Sequence, residues 1–158
     1  MSAGLQVPLK NTDKVAIIDL EDLKMVSGLN WRLGNGYAAC SFKTDNGFRR
    51  VYMHRLILEA PEGKEVDHKN MDRLDNRREN IRLCSRAENK WNENPSKKNK
   101  SGYRGISWFT RDGKWQVMLR HLGNRIFLGR YFDIKEAVKV YNSFISQHRG
   151  DFAKEIIV

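Results

Sequence analysis

The chain has 158 residues, 40% of them hydrophobic and 30% charged, with a formal net charge of +10. That is apolar material for one ordinary domain or two very small ones, and too much of it for a disordered tail. No run approaches the roughly 20 apolar residues of a membrane-spanning helix, and the first 14 residues lack the apolar core of a secretory signal. Cys40 and Cys84 stand far apart with no CxxC pair. They suggest neither a disulfide framework nor a cysteine zinc site, and read as buried thiols in a reducing, cytoplasmic compartment.

Along the chain, short strand-like runs come first: Val15 to Ile18, Tyr37 to Phe42 and Arg50 to Met53. Turn material such as Gly34-Asn-Gly36 and Asp45-Asn-Gly47 separates them. A short helix is expected near Glu21, and Trp31, Tyr37 and Phe42 are expected in the core. From Ala60 to Asn94 the chain turns polar and rich in Asn, Asp and Arg. Within it Asn80 to Cys84 reads as a strand. Ser85-Arg-Ala-Glu88 has the S-x-x-E form of a capping box, which starts a helix through Asn89 and Trp91. Residues 95–100 have linker composition, with Pro95 disfavouring helix at Asn94.

Three strands are expected next: Tyr103 to Trp108, Lys114 to Leu122 and Arg125 to Tyr131. Arg111-Asp-Gly113 and Leu122-Gly-Asn124 supply the hairpin turns. Trp115, Val117 and Leu119 alternate with Gln116, Met118 and Arg120, as in a half-buried strand. Asp133 then opens an amphipathic helix carrying Ala137, Val140, Tyr141, Phe144, Ile145 and His148 at helical spacing, and Gly150 closes it. Between Lys97 and Arg130 nine basic residues face a single acid, Asp112. Such a concentration is a solvated face or a polyanion site, and the interleaved aromatics favour nucleic acid.

The central segment holds Val66-Asp-His-Lys-Asn70, then Leu74-Asp-Asn-Arg-Arg-Glu-Asn-Ile-Arg82, then Ala87-Glu-Asn-Lys-Trp-Asn92. Singly, a His beside an acid is usually a surface pair and an Asn-rich loop is usually turn chemistry. Together and in order, from Val51 to Asn92, they resemble the HNH nucleases, in the branch where Asn replaces the final His, as in phage intron-encoded nicking homing endonucleases. The resemblance implies that His68 is the general base, that Asp67 and Asn89 are metal ligands, and that Asn80 orients the catalytic loop. Oxygen-only ligation implies Mg²⁺ or Mn²⁺. On a regular strand Asp67 and His68 would point to opposite faces, so a shared site requires the chain to bend there. His54 precedes this motif in Met53-His-Arg-Leu-Ile57, and either supports the fold or touches substrate. His121 and His148 read as structural or exposed.

A second resemblance spans residues 101–154. Ser101-Gly-Tyr-Arg-Gly-Ile106, Gly113-Lys-Trp115, Arg125-Ile-Phe-Leu-Gly129, Glu136-Ala137, Tyr141 and Gly150 are similar to the DNA-binding domain of plant Apetala-two and ethylene-response factors. That family enters the major groove with its sheet, which implies DNA contacts from Arg104, Arg120, Arg125 and Phe127. Ser107 and Met118 stand where the plant family has Arg and Glu, so the plant target is not implied.

The expectation is an α+β chain: residues 1–94 as N-terminal strands plus a ββα-metal nuclease module, 95–100 as linker, and 101–158 as a three-stranded antiparallel sheet on one helix. Its expected function is that of a monomeric, metal-dependent endonuclease nicking double-stranded DNA, of homing type, in a bacterial or phage-infected cell, with no membrane or protein partner. The rivals are a DNA-binding regulator keeping an inactive nuclease fold, and an RNA-processing nuclease.

Overall fold

The computed structural model describes residues 4–92, 95 and 99–157. The remainder of the expected linker, residues 96–98, and residues 93 and 94 lie outside the described residues. The chain forms two compact units, residues 1–89 and 90–158, in a mixed α+β arrangement of small sheets and few helices.

In the first unit, β1 (Leu5–Pro8) pairs antiparallel with β2 (Val15–Ile18). A 3-10 turn at Leu20–Asp22 leads into α1 (Leu23–Val26), so the helical segment near Glu21 is short. Next, β3 (Arg32–Gly34), β4 (Tyr37–Thr44) and β5 (Gly47–Tyr52) form an antiparallel sheet in that order. The strand expected to reach Met53 stops at Tyr52, because Met53 opens α2 (Met53–Ile57). β6 (Glu65–His68) and β7 (Ile81–Cys84) make a hairpin around a long polar loop, followed by α3 (Arg86–Asn92).

Ile18, Val26, Trp31, Met53, Ile57, Val66 and Ile81 form the core of this unit. Trp31 lies at its centre, and its indole Nε1–H donates to the Val26 carbonyl at 2.8 Å, so burial leaves no orphan donor. Tyr37 is half-buried, and Phe42 is exposed rather than core, because β3 pairs only with Tyr37 to Ala39 of β4. Cys40 and Cys84 are free and buried, and burial holds both thiols above their ordinary pKa, Cys84 at about 11.

The polar loop is held against this core by backbone. Ile17 N–H donates to the Leu74 carbonyl at 2.8 Å, and Asn76 N–H donates to the Ile17 carbonyl at 2.7 Å, so β2 acts as a strand for the loop to lean on. Arg78 grips Asp22, which is 1% exposed, through Nε and Nη2 at 2.6–3.1 Å. A buried carboxylate requires such a partner.

In the second unit, β8 (Ile106–Phe109), β9 (Lys114–His121) and β10 (Asn124–Tyr131) form an antiparallel sheet with β9 central. The long helix α4 (Ile134–Arg149) follows, and the Asp133 side chain caps it by accepting from Lys135 N–H at 2.9 Å. Ile106, Val117, Leu119, Ala137, Val138, Tyr141 and Ile145 form the core. Full burial of an aliphatic side chain stabilises by about 1.5–3 kcal/mol relative to exposure. The helix buries its expected face at Ala137, Tyr141 and Ile145, with Val140 and Phe144 half-buried; Val138 and Arg149 are buried besides, and His148 is exposed and stacks on Phe144. Gly105 has a φ of 74°, and an added Cβ would lie 2.8 Å from the Tyr141 ring, so glycine is required there.

Candidate active site and candidate nucleic-acid interface

The β6–β7 hairpin and α3 carry the DH, N and N residues. β6 and β7 pair Asp67 with Arg82 and His68 with Ile81. The Asp67 carboxylate is 4% exposed, and its Oδ2 accepts from Arg82 Nε at 2.8 Å and Nη2 at 2.6 Å. Asn80, also buried, works on the loop: its Oδ1 accepts from Asn70 N–H at 3.0 Å and its Nδ2 donates to the Asp75 carbonyl at 2.7 Å. Asp75 in turn accepts from Asn70 Nδ2 and from two Arg77 nitrogens at 2.8–2.9 Å, which holds its pKa below the usual carboxylate value. Hydrogen bonding to the charged form fixes this loop with few apolar contacts.

His68 ends β6 and is buried. Its Nε2 lies 3.4 Å from Asn76 Oδ1, while Asn76 Nδ2 donates to the Leu74 carbonyl at 3.0 Å. The Asn76 oxygen can only accept, so this contact is a hydrogen bond in the tautomer that carries its proton on Nε2. Burial pushes the His68 pKa down, against Asn76 and the Asp67, Asp72 and Asp75 carboxylates, which pull it up. A neutral imidazole at pH 7 is the result.

The sequence left His54 open between fold and substrate. It packs edge-on against His68, with ring centroids 5.1 Å apart, and stacks on Tyr52 at 5.6 Å. It is buried, and among the described residues its Nδ1 has no hydrogen-bond partner. Burial, with His68 and Arg55 nearby, lowers its pKa to about 3. It borders an open cleft of about 300 Å³ lined also by Tyr37, Tyr52, Arg55, Glu65, Val66 and Asn89.

The helix that brings Asn89 to the cleft begins with the expected capping box. Ser85 N–H donates to Glu88 Oε2 at 2.7 Å and Glu88 N–H donates to Ser85 Oγ at 3.3 Å. Asn89 Nδ2 donates to Glu65 Oε2 at 2.7 Å. Glu65 and Asp67, two apart on β6, share a strand face. Glu65 is thus a carboxylate beside the nominated ligands that sequence reading passed over, although its place two residues before Asp67 was a usable signal. Among the described residues no group of three His, Cys, Asp or Glu side chains is placed to hold a metal. The donors present, two carboxylates and an amide oxygen, suit a hard divalent cation. Arg82 is the competing charge on Asp67.

The register of the second unit's sheet sorts the other nominated residues. Arg125 stands opposite Arg120, and Phe127 opposite Met118, with all four exposed on the sheet's outer face. The ladder then skips one residue: Gly129 pairs with Val117 and Arg130 with Gln116, leaving Leu128 as the extra residue of a bulge. Arg130 is thereby returned to the outer face. It lies 3.7 Å over the Phe109 ring, donates through Nε to Gln116 Oε1 at 3.1 Å, and pairs with Asp112. Strict alternation from Phe127 would have turned Arg130 inward. Only Gly129, with a φ of 126°, hinted at a bulge. Arg104 lies apart from these residues. It sits in the turn before β8, half-buried, in a cavity of about 190 Å³ lined also by Trp91, Tyr103, Tyr141 and Lys154.

Comparison with known proteins bears on the first of these sites. Residues 51–90, from the end of β5 into α3, match the family model described as HNH endonuclease. The chain is 36% identical over 107 residues to protein 3.8 of Escherichia phage T7, covering 64% of this chain and 87% of that protein. It belongs to one family with that protein and carries an HNH endonuclease domain. An uncharacterized HNH endonuclease of Acanthamoeba polyphaga mimivirus is 26% identical over 140 residues, 87% of this chain and 72% of that one. No solved structure matches. The HNH segment takes in His54, Asp67, His68, Asn80 and Asn89.

Proposed function

We propose that the chain is a metal-dependent endonuclease that nicks one strand of duplex DNA with its HNH module and holds the duplex with the outer face of its C-terminal sheet. The observation that carries this reading is the HNH match over residues 51–90 together with the place of His68 inside it, a buried imidazole whose pKa burial lowers and whose Nε2 lies 3.4 Å from Asn76 Oδ1. His68 Nδ1 then takes the proton of the water that attacks the scissile phosphate. Asn80 holds the loop from Asn70 to Asp75, and with it Asn76, in the arrangement that orients His68. Asp67 and Asn89 would hold the divalent ion, Mg²⁺ or Mn²⁺, whose charge offsets that developing on the phosphate and leaving oxygen.

The resemblance to the Apetala-two domain and the exposed Arg120, Arg125 and Phe127 support the sheet as DNA grip. Like charges directly opposite one another in a sheet are destabilising, and Arg120 faces Arg125 with no carboxylate in ion-pair contact among the described residues. A phosphate backbone supplies the missing countercharge. Arg104 joins the interface from its own cavity. The chain holds one HNH constellation, so one bond is cut per binding event, leaving 5′-phosphate and 3′-hydroxyl ends as the resemblance implies. The enzyme acts as a monomer of homing type in the cytoplasm of a bacterial or phage-infected cell.

An inactive DNA-binding descendant is the second reading, favoured by the Arg82 guanidinium already bound to Asp67. Supercoiled plasmid with limiting enzyme and Mg²⁺ separates the two. The nuclease reading expects open circles before any linear form, and none in EDTA. Binding without cutting supports the inactive descendant, and linear product with no open-circular intermediate refutes single-site nicking.

A further inference from the structure

The polar loop from Lys69 to Asn80 carries four cations, and three of them bind the fold itself. Arg77 pairs with Asp75 and Glu79 at 2.8 Å, and Arg78 pairs with Asp22 and Glu21 at 2.6 and 3.1 Å. Lys69 Nζ donates to the Glu79 carbonyl at 2.9 Å. Arg73 is different. It is exposed, and among the described residues no carboxylate lies in ion-pair contact with it. Its guanidinium carbon lies over the Tyr37 ring, 4.8 Å from the centroid, and its Nη1 donates to the Asn35 carbonyl at 3.4 Å.

The surroundings hold this side chain in place. Asp72 N–H donates to Asn70 Oδ1 at 2.8 Å and Leu74 N–H donates to Asp72 Oδ1 at 3.0 Å, which fixes the backbone on both sides of Arg73. Gly36 makes room for the guanidinium, since an added Cβ would lie 3.4 Å from Nη1. A guanidinium whose flat face rests on an aromatic ring directs its N–H donors outward in its own plane, where they match the oxygens of a phosphate. Tyr37 is also a wall of the cleft that His54, Glu65 and Asn89 line, and its ring lies 5.9 Å from that of His68. The guanidinium is therefore within about 11 Å of the imidazole, and phosphates of one strand follow at about 3.4 Å along the duplex axis, so this reach covers about three of them.

We propose that Arg73 binds a backbone phosphate of the cut strand, within about three nucleotides of the bond that His68 attacks, and so seats that strand in the cleft. This deepens the nuclease reading and rests on it for the identity of the cut strand. The test uses the full-length chain and a fluorescent 30-base-pair duplex in EDTA, with anisotropy measured from 50 to 200 mM KCl. Arg73→Met keeps an unbranched stem over Tyr37 and removes the charge. It should bind roughly threefold or more weakly at 100 mM KCl, with the slope of log affinity against log salt smaller by about 0.9, the value of one phosphate contact. Arg73→Lys should keep the wild-type slope, because a point charge suffices for a phosphate. In Mg²⁺ the enzyme concentration giving half-maximal single-turnover nicking should rise for Arg73→Met by the same factor as its loss of affinity. The rate at saturation should hold, since the contact is made alike in ground and transition states. Uncharged methylphosphonates are then placed singly at the three phosphates on either side of the mapped nick. One of them should weaken wild-type binding and leave Arg73→Met unchanged.

An Arg73→Met chain with unchanged slope and a native circular dichroism spectrum would overturn the contact and leave Arg73 as a brace between the loop and Asn35. Loss of slope in Arg73→Lys would overturn it as a charge contact. A slope that falls with no methylphosphonate position distinguishing the two chains would overturn its place beside the cut bond. Wild-type binding without nicking refutes the nuclease reading, while the slope of Arg73→Met still decides the phosphate contact; wild-type failure to bind duplex refutes both.

Discussion

Acid should destabilise the N-terminal unit through His54. His54 is 6% exposed, its Nδ1 has no hydrogen-bond partner among the described residues, and burial lowers its pKa from 6.5 to about 3. The folded value lies below the unfolded one, so the unfolded chain takes the proton first. Stability is therefore full above about pH 6.5 and is lost progressively as pH falls toward 3. The gap of roughly 3.5 units corresponds to a ceiling of about 5 kcal/mol at 1.36 kcal/mol per unit. At pH 5 the same linkage gives a loss of about 2 kcal/mol. The measurement is urea unfolding at pH 7.5 and pH 5.0, followed by hydrogen exchange in peptides covering residues 50–60, with His54→Phe as the non-titrating reference. The wild-type chain should lose about 2 kcal/mol more than the variant between the two pH values. A difference under about 0.5 kcal/mol would show that the folded protein accommodates the His54 charge, and the argument from desolvation would fail.

Three further outcomes follow from the proposed active site and sheet. His68→Ala should slow single-turnover nicking by roughly a hundredfold or more while leaving duplex binding intact; near-normal cutting removes His68 as the base. Asn89→Ala should move the Mg²⁺ dependence of nicking to higher concentration, and an unchanged titration takes Asn89 out of the ligand set. Arg120→Ala should weaken duplex binding, either uniformly with a salt slope smaller by about 1, or at one base position by about 1–3 kcal/mol. If neither changes, the outer face of the sheet is a solvated surface.

Much of the fold was legible where side-chain chemistry is local. Ser85 and Glu88 announced the start of α3, and their reciprocal hydrogen bonds are the ones the pattern implies. The alternation of Trp115, Val117 and Leu119 gave the inward face of β9, because a strand packed on one side leaves a period of two. Residues whose place depends on distant partners were not legible. Phe42 looks like core by composition, but no third strand reaches it. Arg149 belongs by charge on the outside, yet α4 turns it inward, where it lies over Trp91 and donates to the Arg120 carbonyl at 3.2 Å. Asp67 carried the family's signal for a ligand, while its pairing with Arg82 depends on strand register, which spacing alone does not fix.

The bulge at Leu128 divides the outer face of the sheet into two facets. A bulge adds local right-handed twist, so the facet of Arg120, Arg125 and Phe127 and the facet of Arg130, Gln116 and Phe109 need not lie in one plane. A twisted face can follow the turn of a helical groove, with its two ends addressing different base steps. Since Leu128 is the residue the ladder skips, removing it would leave each neighbour on its present side and change the angle between facets, with the loss of its packing on the core and of the carbonyl that accepts from Tyr131 Oη at 2.7 Å. If this face is the DNA grip proposed above, its sequence preference can drift through the length of β10 with every outward side chain kept.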